Sequence, residues 1–286
     1  MTDSAGEKQS AALSSLVAAV GLTAFKIAVG VWTGSLGIMA EAAHSGLDLV
    51  AAGLTFLAVR FSGRPPDKTH LYGHGKIENL SALAETLLLL LTCAWIVWEA
   101  VHRLRSHHAL VAVNIWSLVV MLTSIAIDFS RSRVLGRAAK KHHSQALEAD
   151  ALHFQTDVWS SAVVIVGLAS VKLGWWWGDA VAALGVSAVV VWVSVQLGRR
   201  TVDALLDTAP EGMEQRIAVA VAAVDGVHDC HHVRVRYSGP VLFIDLHVLV
   251  DGGQTLAEAH RLTETIEAVI QDIAPQADVT VHPEPV

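Results

Sequence analysis

Apolar residues fill six stretches of the N-terminal part of the chain, each long enough to cross a bilayer as a helix, which takes about 20 residues. These stretches cover roughly residues 12–33, 36–60, 78–101, 112–130, 146–172 and 178–198. Turn residues separate neighbouring stretches, as at Gly34-Ser35. The pattern therefore predicts an α-helical membrane protein with six transmembrane helices.

The pattern changes after about residue 207, where apolar and polar residues alternate over shorter segments. Residues 212–224 and 255–273 have the spacing of amphipathic helices, and residues 231–237, 241–250 and 278–282 alternate as strands. The order α-β-β-α-β predicts a small open-faced α+β sandwich. We thus expect an N-terminal tail over residues 1–11, a six-helix domain over 12–206 and a soluble domain over 207–286.

Composition and charge support a membrane protein with a defined orientation. Charged residues make up 16% of the 286 residues, against about 25% in soluble domains. Twelve Lys and Arg residues, Lys8 and Arg131 among them, fall on one side of the predicted spans and three on the other. The positive-inside rule then places both termini in the cytoplasm. The polar N-terminus does not resemble a cleaved signal peptide, and the net charge of −7 gives no support for a nucleic-acid partner.

Two predicted spans carry a His and an Asp four residues apart, His44/Asp48 in the second and His153/Asp157 in the fifth. This spacing places both side chains of a pair on one helix face. Ionisable groups at membrane depth are costly and are retained mostly for function. One such pair could be a local hydrogen bond that supports helix packing, but two matched pairs near the middle of their spans predict a common site. Two imidazoles and two carboxylates form a tetrahedral set suited to Zn²⁺, and suit Mg²⁺, Ca²⁺ or Cu(I) less well.

Together with these pairs, the loop sequence PPDKTHLYGHGKIEN and the spaced histidines of the C-terminal domain make the chain resemble the cation diffusion facilitator family of metal–proton antiporters. The resemblance implies a homodimer that exports Zn²⁺ from the cytoplasm in exchange for protons. It also implies a metallochaperone-like cytoplasmic domain with a ferredoxin-like αββαβ fold that senses metal. Family members with Asp at the position of His44 are less selective, so His44 implies a preference for Zn²⁺, with Cd²⁺, Fe²⁺, Co²⁺, Mn²⁺ and Ni²⁺ as alternative substrates. The compact build and short loops suggest a bacterial inner membrane.

The resemblance implies two further groups of residues around the second loop. Asp67, His70 and His74 match a metal site between spans two and three, and Asp-x-x-His-x-x-x-His is plausible ligand spacing in its own right. Lys76 and Asp207 match a charge pair that holds the two protomers of family members together. Both groups are expected at the cytoplasmic side.

The C-terminal domain carries residues that match the binuclear metal site of the family. The matching residues are His231, His247, His260, His282 and Glu284. Glu284 stands where Asp is more usual, so a carboxylate is retained. His232 adjoins His231, which leaves the register of the site open by one residue.

Two other classes of function are compatible with a metal site in a membrane. A membrane-embedded zinc enzyme, such as a site-2-type protease, needs a general base beside the ligands, as in His-Glu-x-x-His. The sequence has no such motif, and Glu41 or Glu85 would have to take this role. A metal-sensing receptor would explain the C-terminal histidines but not two ligand pairs at the midplane. We therefore predict a secondary transporter rather than an enzyme.

Overall fold

The protein is described by a computed structural model that covers residues 2–106, 115–172, 178–239, 241–275 and 277–286. The chain divides into two compact units. The helical unit comprises Met1–Pro65 and Ile77–Thr201, and the sheet unit comprises Pro66–Lys76 and Val202–Val286. Each unit is described separately below.

Six long helices occupy the part of the chain where six apolar stretches are predicted. They are α1 (Thr2–Thr33), α2 (Leu36–Ser62), α3 (Lys76–Ser106), α4 (Ile115–His142), α5 (Gln145–Lys172) and α6 (Gly178–Leu205). Within the described residues, three segments are long and apolar enough to cross a membrane: Ala5–Thr33, Glu41–Ser62 and Lys76–His102. The helical character of this region is thus confirmed.

Helix α1 begins at Thr2, so the residues predicted to form a tail are its first turns. Lys8 is buried and donates to a carboxylate oxygen of Glu78 at 2.5 Å. The same carboxylate accepts hydrogen bonds from Ser62, at 2.8 Å, and from Ser144. Lys8 therefore has a buried partner, which explains why polarity alone misplaced the start of the helix.

Small side chains allow α1, α2, α4 and α5 to pack closely. Their shared core contains Ala12, Ala52, Leu135, Ala146 and Phe154, all at most 1% exposed. Small residues at such interfaces let helix backbones approach one another in lipid. The consequence for function is that α2 and α5, which carry the two His/Asp pairs, lie side by side.

The sheet unit has the predicted element order α-β-β-α-β. Its elements are α7 (Met213–Ala222), β1 (Asp229–Ser238), β2 (Val241–Val250), α8 (Leu256–Ile273) and β3 (Asp278–Pro285). The strands form one sheet in the order β1-β2-β3, with β1 antiparallel and β3 parallel to the central β2.

One face of the sheet is covered by the two helices and the other is open. Every second residue of β2 is buried, and these residues pack with Ile217 of α7 and Ile266 and Ile270 of α8. Successive side chains of a strand point to opposite faces. The intervening residues of β2, His247 among them, therefore lie on the open face.

Candidate metal sites

The four side chains of the two His/Asp pairs meet between α2 and α5. His153 Nε2 lies 3.1 Å from Asp48 Oδ1 and 3.7 Å from Asp157 Oδ2. His44 Nε2 lies 3.8 Å from Asp48 Oδ1 and 3.9 Å from Asp157 Oδ1. Each imidazole thus faces one carboxylate from its own helix and one from the other. We call this group the transport cluster.

Three side chains of the transport cluster are largely buried, those of Asp48, His153 and Asp157, and that of His44 is partly exposed. The side chain of His153 is 9% exposed and that of His44 is 37% exposed. Asp157 Oδ2 is buried and accepts no hydrogen bond from any residue that the structure describes. A buried carboxylate oxygen without a hydrogen bond is costly. Together, an unsatisfied acceptor, two carboxylates and two imidazoles suit a divalent cation.

Two buried cations beside the transport cluster were not assigned a role from the sequence. Lys26 of α1 donates to Ser45 Oγ at 2.7 Å, next to His44. Arg131 of α4 lies 3.4 Å from the centre of the Phe154 ring, next to His153, and pairs with Asp128 at 3.2 Å. The charge count placed Arg131 among the cytoplasmic connections, and in the structure its side chain is buried between helices. The signal in the sequence that could have identified Lys26 is a charged residue within an otherwise apolar stretch.

The loop residues Asp67, His70 and His74 also meet. Asp67 Oδ1 lies 3.3 Å from His70 Nδ1, and Asp67 Oδ2 lies 3.3 Å from His74 Nε2. Asp67 Oδ1 accepts backbone hydrogen bonds from His70 at 2.7 Å and Thr69 at 2.8 Å. The hydrogen bonds from these backbone N–H groups, that of His70 foremost, hold the pKa of Asp67 well below its usual range. The loop thus brings two imidazoles to one carboxylate, and its hydrogen bonds favour the ionised form of that carboxylate.

We expect Asp67→Asn to remove the negative charge of this loop and to keep the loop conformation. The Asn side-chain oxygen can still accept the two backbone hydrogen bonds, but the negative charge is lost. Zinc affinity of the loop should fall by at least about tenfold, as measured by zinc titration of the purified protein. Asp251→Asn is the matched control, because exposed Asp251 likewise accepts a backbone hydrogen bond, from Gly253 at 2.9 Å. An equal effect of both variants would contradict a metal site at Asp67.

Three histidines of the C-terminal domain lie on one row across the open face of the sheet. His231 on β1 pairs in register with His247 on β2, and His247 pairs with His282 on β3. Glu284 lies beside this row, with Oε1 2.8 Å from His247 Nδ1 and Oε2 3.2 Å from His231 Nε2. The hydrogen bond with His247 lowers the pKa of Glu284. We call these residues, with His232, the sheet cluster.

A β-bulge adds His232 to the sheet cluster. The register of β1 against β2 shifts between His231 and Arg234, so two residues of β1 face one of β2. His232 has a φ of 50°, and its ring centre lies 5.2 Å from that of His247. Ligand atoms of His231, His232 and His247 come within 4.8 Å of one another, as do those of His247, His282 and Glu284. The sheet cluster thus contains two groups of three that share His247.

Of the residues predicted for the metal site of the C-terminal domain, His260 alone lies away from the sheet cluster. It lies on α8, its side chain is 71% exposed, and its Nε2 is 3.7 Å from Glu264 Oε1. Helix α8 packs on the covered face of the sheet, whereas the other histidines lie on the open face. Within one chain, His260 therefore does not belong to the group.

Lys76 and Asp207 form an ion pair, but they form it within a single chain. Lys76 Nζ lies 2.8 Å from Asp207 Oδ1 and donates to the carbonyl of Leu205 at 3.3 Å. Arg236 adds a second cation at 3.5 Å from Asp207 Oδ2. The hydrogen bond from Lys76 lowers the pKa of Asp207. The two predicted residues therefore meet within one chain, and their role in holding two protomers together stays a prediction.

Residues 12–206 match the cation efflux transmembrane domain, and residues 209–286 match the cytoplasmic domain of cation efflux proteins. The chain belongs to the cation efflux family. The resemblance to the cation diffusion facilitators is thereby confirmed, and the protein is a membrane transporter and not an enzyme.

Relatives of this cation efflux protein are similar over nearly their full length. The cation-efflux pump FieF of Yersinia enterocolitica is 34% identical over 282 residues, which cover 97% of this chain and 92% of the relative. FieF of Pectobacterium atrosepticum is 33% identical over 275 residues, which cover 94% and 90%. A solved structure of a MamM CTD is 30% identical, covers 27% of this chain and 96% of that chain, and has a TM-score of 0.25.

Proposed function

We propose that this protein exports divalent metal, preferably Zn²⁺, from the cytoplasm in exchange for protons through the transport cluster. The observation that carries the proposal is the position of the two imidazole Nε2 atoms, each within 3.9 Å of carboxylate oxygens from both α2 and α5. Membership of the cation efflux family supports export. The relatives named as cation-efflux pumps support the same direction.

The chemistry of the transport cluster favours exchange of metal for protons. Two aspartates offset the double charge of the cation, and two imidazoles supply nitrogen ligands that Zn²⁺ prefers to Mg²⁺ or Ca²⁺. Histidine lone pairs bind either a proton or a metal ion, so the two compete for the same atoms. Metal from the cytoplasm would release protons from the cluster, and protons from outside would displace the metal. Reprotonation would also let the empty carrier return without two bare carboxylates in lipid.

The same proposal covers the arrangement of the chain in the membrane. We propose six membrane spans within residues 12–206, both termini in the cytoplasm, and a bacterial inner membrane as the location. Residues 207–286 form a cytoplasmic domain with a ferredoxin-like fold through which two chains associate. The match to the cytoplasmic domain of cation efflux proteins supports this role.

We further propose that the loop residues and the sheet cluster bind metal on the cytoplasmic side. His74 Nδ1 and His231 Nδ1 are buried and accept or donate no hydrogen bond within the described residues. Metal bound at the sheet cluster would stabilise the dimer and favour transport. Activity would then rise with the cytosolic concentration of zinc.

Proton coupling is tested with the purified protein in sealed proteoliposomes. We expect Zn²⁺ uptake to accelerate when the inside of the vesicles is made more acidic than the outside. Protons should leave the vesicles as Zn²⁺ enters, as read from a pH-sensitive dye inside the vesicles. The double variant His153→Ala/Asp157→Ala is the control for leakage. Uptake that neither responds to the gradient nor moves protons would contradict the antiport mechanism.

The preference for Zn²⁺ is tested by His44→Asp. Replacing one of the two imidazole nitrogens by a carboxylate oxygen gives the transport cluster a harder ligand set, in the hard–soft acid–base sense. Such a set favours cations that prefer oxygen ligands. In competition assays, we expect Cd²⁺, Co²⁺, Fe²⁺, Mn²⁺ and Ni²⁺ to inhibit Zn²⁺ transport weakly in the wild type. At least one of them, Mn²⁺ foremost, should inhibit the variant about tenfold more strongly, a change of about 1.4 kcal/mol in relative binding. An unchanged order of inhibition would contradict a selective role for His44.

A further inference from the structure

A groove between one end of α1 and one end of α4 has no role in the transport described above. It encloses about 360 Å³, within the range of about 300–1,000 Å³ usual for small-molecule sites. Residues 7, 10, 11 and 14 of α1 and residues 134, 137, 138 and 141 of α4 line it. Both sets follow the spacing of a single helix face. The groove is therefore a continuous cleft between two facing helices.

The groove changes from charged to apolar along its length. Glu7 contacts Lys141, and farther along the same two helices Ser15 accepts a hydrogen bond from Arg131 Nε at 3.2 Å, so α1 and α4 run antiparallel. One end is consequently formed by Glu7 and Lys141, and the opposite end by Ser14 and Val134. The end at Ser14 and Val134 lies farther along α1 than the charged end, toward the middle of the segment Ala5–Thr33 that is long and apolar enough to cross a membrane.

Arg137 is the cation of this groove that remains available for a ligand. Lys141 is neutralised by Glu7, which also accepts from His142 Nε2 at 2.9 Å. Arg137 is exposed and makes no ion pair with any residue in the described ranges. Ser10 also lines the groove and is exposed. An exposed guanidinium and a hydroxyl that line the same groove are well suited to phosphate oxygens.

We propose that this groove binds the headgroup of an anionic phospholipid. Arg137 and the Ser10 hydroxyl hold the phosphate, and the stretch of the groove from Ala11 and Ala138 to Val134 and Ser14 receives the glycerol backbone and the start of an acyl chain. Basic pockets between transmembrane helices are known binding sites for such headgroups. A lipid fits better than a free anion, because the charged and apolar ends of the groove lie in the same order as the headgroup and chains of a lipid.

The test measures lipid retained by the purified full-length protein, and does not depend on transport. Delipidated protein is mixed with equal amounts of phosphatidylglycerol and phosphatidylcholine, and the bound lipids are counted by native mass spectrometry. We expect the wild type to retain phosphatidylglycerol in preference to phosphatidylcholine. Arg137→Gln should retain about fivefold less phosphatidylglycerol, the change expected for one lost phosphate contact near a membrane surface. Ser10→Leu, which fills the groove without removing a cation, should give a similar loss.

Arg133→Gln is the matched control, because Arg133 lies one turn away on α4, outside the lining, and carries the same charge. It should retain phosphatidylglycerol like the wild type. Equal losses in Arg137→Gln and Arg133→Gln would show a general attraction to basic residues and overturn the proposal. Equal retention of both lipids would overturn it, and so would displacement of the lipid by inorganic phosphate, which would indicate a site for soluble anions.

Discussion

Replacing His153 by Ala is expected to abolish metal transport. His153 Nε2 is the atom of the transport cluster closest to a carboxylate of the other helix, 3.1 Å from Asp48 Oδ1. Its loss removes one of the four proposed ligands and leaves two buried aspartates with one imidazole fewer to offset their negative charge. Loss of a residue that only orients a ligand costs about 10- to 100-fold in metal affinity, so we expect the rate of Zn²⁺ uptake into proteoliposomes to fall by at least about 100-fold.

Asp157→Asn tests the same cluster without changing side-chain volume, and should reduce uptake to a similar extent. His142→Ala is the control for His153→Ala, because His142 also contacts a carboxylate, that of Glu7, outside the transport cluster. It should transport at nearly the rate of the wild type. Matching thermal unfolding curves would show that the variants are folded. Wild-type uptake in His153→Ala would rule out the transport cluster as the path of the metal.

Replacing His247 by Ala should remove both metal groups of the sheet cluster at once. His247 is shared by the group with His231 and His232 and by the group with His282 and Glu284. His282→Ala should remove only the second group. Zinc bound per chain, measured by titration in the His153→Ala/Asp157→Ala background, should therefore fall by two ions in His247→Ala and by one in His282→Ala.

His260→Ala provides the matched comparison for these histidine variants. Because His260 lies on the helix-covered side of the sheet unit, we expect it to leave the number of bound zinc ions unchanged. A loss equal to that of His247→Ala would show that His260 reaches a metal in the assembled protein. An unchanged zinc count in His247→Ala would contradict the sheet cluster itself.

The sequence was sufficient to predict the helices and strands because their signals are local. Long apolar stretches predicted the six helices, and alternation with turn residues predicted the order α-β-β-α-β. The start of α1 could not be predicted in this way. Lys8 is polar, which suggested a tail, but its partner Glu78 lies seventy residues away in the chain. Only packing brings such partners together, so a local pattern does not reveal that a polar residue is buried.

The candidate sites, like the helices and strands, could be predicted from the sequence only where their signal is local. Spacing within one helix determined that His44 and Asp48 share a face, as do His153 and Asp157, because the helical repeat is regular. The position of the two helices side by side, and hence the distances between the pairs, came only from tertiary packing. The same packing placed Arg131 against Phe154.

The sequence by itself determined the family, the transporter class and the element order of the cytoplasmic domain, since each follows from residue types at regular spacing. The tertiary structure alone decided which histidines of that domain meet. A bulge of one residue turns His232 toward His247, and strand register aligns His231, His247 and His282, while α8 carries His260 to the covered side. Register and bulges depend on contacts between strands, and for this reason spacing along one strand could not predict them.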